Sequence, residues 1–146
     1  MTEFLLTLHV LAAILAIGPV AVAGSLFPRH MRAAIEGEEH ALRIAGVLHR
    51  VCRGYALVGL AVPVFGLATG IGLGVLGEPW LSASMVLTVL AAAVLALAVI
   101  PAQRGLLDAP SPEGLPVASR LHMLTGVFNL LWAAVAVLMV VRPGAG

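Results

Sequence analysis

The sequence predicts an all-α polytopic membrane protein, a bundle of four transmembrane helices with N-out and C-out termini. Three observations carry the prediction: four apolar runs of about 20 residues, the length that crosses a hydrocarbon core; little chain outside them; and basic residues gathered in alternate connections. Hydrophobic residues make up 61% of the 146 and charged residues 10%. Mean hydropathy is +1.09, outside the range of soluble domains. The runs are continuously apolar rather than alternating, which favours helices over the strands of a membrane barrel. A single domain over residues 1–146 follows, with spans near residues 4–26, 45–76, 81–100 and 121–141.

The first span contains LTLHVLAAILAIGPVAVAG. The AVAG segment has the small-x-small form of a cleavage site, but the only early charge is Glu3 and the run is long enough to span, so it reads as a mature helix. Pro19 lacks an N–H and predicts a kink. His9 is an ionisable ring inside an apolar run, a placement whose cost points to function.

The connection PRHMRAAIEGEEHALR spaces Glu36 from His40, and Glu39 from Arg43, by four residues, as in a short interfacial helix with His30 and His40 at the surface. The second span starts near Ile44, before the hydrocarbon, and carries Arg50 and Arg53 in its first turns. Pro63 follows, then Gly66, Gly70 and Gly74, a small residue every fourth position that suits close helix packing. After a GEPW turn the third span, LSASMVLTVLAAAVLALAVI, reads as scaffold, with Ser84 and Thr88 able to bond back to the preceding turn. The segment RGLLDAPSPEGLPVAS reads as a surface loop whose Ser119 caps the fourth span. Asn129 lies mid-membrane in that span and requires a partner.

Orientation follows from arginine. Arg29, Arg32, Arg43, Arg50, Arg53, Arg104 and Arg120 lie in or beside the two longer connections, and only Arg142 lies on the other side, so the longer connections face the cytoplasm. All eight basic residues are arginine; with the Ala, Gly and Val richness, this points to a GC-rich bacterium and to its cytoplasmic (inner) membrane. A net charge of +1 gives no sign of nucleic-acid binding. Cys52 is the only cysteine, which excludes an internal disulfide and dithiol chemistry. No Asp, Glu or Lys lies deep in a span, which argues against carboxylate-driven transport. Neither a nucleotide loop nor a Ser-His-Asp set is legible, so no catalytic residue is assigned.

Two constellations remain. His49 and His122 lie toward the cytoplasmic side and are a candidate axial pair for haem b, with Arg50 or Arg53 available to its propionates. His9, Met85 and Met139 fall within about two turns of the outer surface and combine imidazole with thioether, a set that favours Cu(I). His9 and His122 are separated by roughly 20 Å of bilayer, so no single ion joins all three histidines. Each of these three histidines heads a stripe of small residues: Ala12, Ala13, Ala16 and Ala23 after His9; Cys52, Arg53, Ala56 and Gly59 after His49; and Thr125, Gly126, Asn129 and Ala133 after His122. Such stripes permit tight packing or leave width for a flat macrocycle. The activity is thus open between a haem-binding redox or haem-handling protein, a copper-handling protein, and a non-catalytic accessory subunit whose histidines are structural. Lipid is the surrounding partner, and the small size and glycine stripe suggest a homo-oligomer or partner membrane subunits.

The LHVLAAILAIG start, the arginine-rich LRIAGVLHRVCR opening of the second helix, its TGIGL end and a last helix with Asn129 running into LMVVRP resemble a family of small predicted bacterial integral membrane proteins of unknown function. That family is similar to the CopD-like group, which includes copper-resistance membrane proteins and HemJ-type protoporphyrinogen oxidases. The resemblance implies a four-helix fold with a membrane histidine in helix 1. It also implies haem b ligation by a histidine placed like His9, followed by a Pro-Arg pair closing that helix, as Pro28-Arg29 would. The His-to-Pro-Arg distance is longer here and the lysine of those enzymes has no counterpart, so a protoporphyrinogen oxidase is not implied.

Overall fold

A computed structural model describes residues 2–142. The chain forms helices α1 (Thr2–Ile35), α2 (Glu39–Gly59), α3 (Ala61–Leu73), α4 (Pro79–Ala93), α5 (Ile100–Asp108) and α6 (Leu115–Val141). A π-helical stretch (Val94–Val99) joins α4 to α5, and a 3-10 turn (Pro112–Gly114) precedes α6. No strand occurs among the described residues. Four helical rods are long and apolar enough to cross a membrane: Glu3–Ile35, Glu39–Leu73, Pro79–Asp108 and Pro112–Val141. The protein is a multi-pass membrane protein of all-α, four-helix-bundle architecture.

Each rod holds at least 30 residues, so its length of about 45–50 Å exceeds a hydrocarbon core of roughly 30 Å. This excess corrects the connections expected from sequence. The segment PRHMRAAI is no separate interfacial helix; it continues α1 through Pro19 and Pro28 to Ile35, and Pro28-Arg29 closes nothing. Ser119 caps nothing either, since α6 starts at Leu115 and Ser119 accepts a 2.6 Å hydrogen bond from Arg32 Nη2. Apolar runs report where lipid lies, whereas helices stop where the backbone is capped. The cap after α1 is a Schellman turn: Gly37 at φ 109° lets Glu38 N–H reach Ala33 O and Gly37 N–H reach Ala34 O. Gly74 at φ 71° ends α3 in the same way, with Val75 N–H on Gly70 O and Gly74 N–H on Ile71 O.

Prolines account for the two irregularities within rods. Pro63 has no N–H to give the Gly59 carbonyl and its ring crowds that group; α2 accordingly ends at Gly59, and Leu60 N–H turns to Leu57 O. Pro101 likewise has nothing to give Leu97, and the backbone preceding it widens into the π register, with Ile100 N–H on Leu95 O. Ser84 and Thr88 bond back as expected, to Trp80 O at 2.8 Å and Ser84 O at 2.7 Å.

Helix α1 packs along α2 and α3 on one side and against α6 on another, while α4 lies on α6 and α5 reaches α2. Side-chain packing is dense at the end of the bundle away from the chain termini, where Phe27, Met31, Val99, Leu121 and Phe128 form the main core. Toward the termini the core thins to Ala12, Ala16 and Val62. Small side chains there bring α1 close to α3, and Gly59 lies against Ala16. The remaining volume between α1, α3, α4 and α6 is left open.

Candidate functional site: a cavity at the terminal end of the bundle

The open volume is a cavity of about 580 Å³ whose lining includes His9, Met85, Asn129, Trp132, Met139 and Arg142. This is within the range of small-molecule and cofactor sites. Apart from Thr88 its other walls are apolar, with Val10, Ile14 and Ile17 from α1, Leu81 from α4 and Ala136 from α6.

His9 is fixed by two features of α3. Its Nδ1 lies 2.8 Å from Val62 O; a carbonyl only accepts, so Nδ1 carries a proton and Nε2 is the nitrogen left for a ligand. Gly66 makes room for the ring, because a Cβ there would fall 2.8 Å from Cε1 and 3.0 Å from Nδ1. A backbone carbonyl holding one imidazole nitrogen, with the other free, is the usual arrangement around a metal-ligating histidine. No hydrogen bond engages Nε2 among the described residues.

Two further polar atoms of cavity-lining residues are unmatched: Asn129 Oδ1 and Trp132 Nε1 are buried without a hydrogen-bond partner. Such groups are rare in folded proteins, since each forgoes about 1–3 kcal/mol. The other end of the Asn129 amide donates to Ser25 Oγ at 3.4 Å, joining α6 to α1 beside the contact of Thr125 Oγ1 with Gly24 O. Asn129 therefore satisfies its donor across the helices and leaves its acceptor open. At the cavity mouth Arg142 lies over the Trp80 ring, 5.4 Å from its centroid.

The outer set read from sequence, His9, Met85 and Met139, thus lines one cavity. Those three come from α1, α4 and α6. Among the described residues no three of His, Cys, Asp or Glu converge as a metal site, so any ion here would depend on thioether ligands or on a bound ring. The inner set is not brought together in this way. His49 is buried, with Nδ1 3.0 Å from Gln103 Oε1 and its ring 6.5 Å from that of Phe27. His122 instead occupies an exposed position of α6, between buried Leu121 and Thr125. Arg50 and Arg53 are exposed on α2.

Sequence reasoning missed Trp132, Gly66 and Gln103. Trp132 is three residues from Asn129, and a second polar tip on that face was the available signal. Gly66 was visible only as part of a packing stripe; in the fold Gly66 meets His9, Gly70 meets Leu81 and Leu76, and Gly74 is a cap. Gln103 lies past the apolar run, where nothing marked it as buried. No known family, curated protein or solved structure matches the chain.

Proposed function

We propose that this is a haem b-binding protein of the bacterial inner membrane, in which His9 would hold the haem iron and the 580 Å³ cavity would be the haem pocket. One observation carries the reading: His9 has its Nδ1–H committed to Val62 O, which leaves Nε2 without a protein partner on the wall of a largely apolar cavity. The residues present fit the group. Apolar walls would suit the macrocycle, Met85 or Met139 would offer a thioether as a further ligand, and Arg142 would suit a propionate. Bound haem would supply one-electron chemistry or a haem-transfer function. The chain's own part is to orient the imidazole, exclude water and hold the carboxylates near Arg142.

The test is the absorbance spectrum of detergent-purified protein produced with haem available, before and after dithionite. A Soret band that His9→Ala abolishes and His49→Ala leaves in place is the expected result. A colourless protein, or a band indifferent to His9, overturns the reading.

Copper handling is the second reading, favoured by the placement of both thioethers on the same cavity as His9. The haem reading comes first here because the cavity volume far exceeds what one ion fills and its polar atoms are few. If copper is the cargo, a Cu(I) competition titration gives binding that is lost in His9→Ala and in the Met85→Leu/Met139→Leu double variant, with no Soret band at all.

A further inference from the structure

A second concave surface lies on the opposite half of the molecule. Between α2 and the π-helical stretch runs a groove of about 620 Å³, lined by Arg50, Arg53, Gly54, Leu57, Leu60 and Ala96, among others. Its polar and apolar parts are separated along the helix axis. Arg50 and Arg53, three residues apart and so on one face, occupy one end. Leu57, Leu60 and Ala96 extend the other way, toward the middle of the bundle.

Axial distances place this polarity relative to the bilayer. From Leu73, the last residue of α3, back to Arg53 is 20 residues, or about 30 Å at the helical rise, one hydrocarbon thickness. From Pro79 to Ile100, on the other wall, is 21 residues and nearly the same distance. The two arginines therefore lie at one membrane interface, and the apolar part of the groove dips from there into the hydrocarbon.

Charge completes the picture. The chain has no Asp or Glu between Glu39 and Glu78, so no carboxylate of α2 or α3 beyond its first residue neutralises this pair. Two like charges one turn apart repel. Among the described residues, no hydrogen bond from either guanidinium is formed with protein. The neighbourhood of Gly54 is open, since an added Cβ there meets nothing within 4 Å.

We infer that this groove is a binding site for an anionic phospholipid, with the headgroup phosphate on Arg50 and Arg53 and an acyl chain lying along Leu57, Leu60 and Ala96. The inference is independent of haem or copper: the groove and the His9 cavity share no lining residue. Guanidinium is suited to phosphate through paired, charge-assisted hydrogen bonds, and the apolar floor suits a chain rather than a free ion.

Native mass spectrometry of the full-length protein released from detergent, with phosphatidylglycerol, phosphatidylcholine or inorganic phosphate added, tests this. The wild type is expected to retain phosphatidylglycerol in preference to phosphatidylcholine, and millimolar inorganic phosphate is expected not to displace it. Arg50→Gln/Arg53→Gln should weaken phosphatidylglycerol retention about tenfold or more, the scale of a lost charge-assisted hydrogen bond. Gly54→Leu, which fills the groove and keeps both arginines, should weaken it as well; Ala96→Leu repeats that arm from the other wall. Unchanged retention in the arginine double variant overturns the site. Unchanged retention in both groove-filling variants, or displacement by inorganic phosphate, reduces it to surface charge and overturns it equally.

Discussion

Gly66 shows how much of the candidate site depends on a missing side chain. The His9 ring occupies the space in which a residue-66 Cβ would stand, 2.8 Å from Cε1, and it cannot swing away without breaking its bond to Val62 O. Gly66→Ala is therefore expected to lose that hydrogen bond, worth about 1 kcal/mol, and to turn Nε2 off its axis. On the proposed haem reading, binding in a spectral titration should fall about tenfold or more, since ligation tolerates little misplacement. Gly46→Ala is the control: an added Cβ there meets nothing within 4 Å, and the better helix former should leave binding unchanged and the melting temperature equal or slightly higher. His9 itself was legible, because an ionisable ring in an apolar run is conspicuous in any sequence. Its setting was not: Val62 O and Gly66 become relevant only once it is known which face of α3 meets α1, and a glycine stripe is compatible with several faces.

Helices meet through buried polar clasps as well as through apolar surface. Gln103 of α5 is fully buried and takes two groups of α2 at once, His49 Nδ1–H through Oε1 at 3.0 Å and Cys52 Sγ through Nε2 at 3.6 Å. The π-helical turn ahead of Pro101 sets the rotation at which α5 leaves the membrane, and so decides that Gln103 faces α2. Gln103→Leu leaves the His49 N–H buried without an acceptor, and a loss of about 1–3 kcal/mol is expected, read as a lower thermal midpoint in detergent. Adding His49→Leu should recover part of the loss, because replacing both partners by apolar groups removes the stranded donor. Additive losses would mean that the two side chains stabilise the helices separately. The four spans were legible from hydropathy, yet this clasp was not: Gln103 follows the apolar run and neighbours Arg104, so composition places it with the loop. The extended ends of α1 and α5 were hidden for the same reason. Their last turns are amphipathic rather than apolar, and a search for lipid-facing residues stops before them.

At the scale of the whole molecule, polarity along the bundle axis links the two concave surfaces to the two sides of a membrane. The His9 cavity shares its end with Trp80 and Arg142, whereas Arg29, Arg32, Arg43, Arg50, Arg53, Arg104 and Arg120 belong to the other half of the rods. Seven arginines against one predict that the arginine-rich half faces the cytoplasm, which puts the cavity in the outer leaflet half and the lipid groove in the inner. Cysteine accessibility tests this directly. Cys52 is fully buried, so the unmodified chain gives a low labelling background with a membrane-impermeant maleimide. Gly77→Cys, in the turn between α3 and α4 where an added Cβ meets nothing within 4 Å, should be labelled in intact cells. Glu38→Cys, in the exposed turn between α1 and α2, should be labelled only after permeabilisation. The reverse pattern would place the His9 cavity on the cytoplasmic side. Any ligand of His9 would then be drawn from the cell interior, and the arginine groove would meet the outer leaflet. Topology thus decides which compartment each surface can serve, and because the four rods alternate across the bilayer, two labelling positions are enough to fix it.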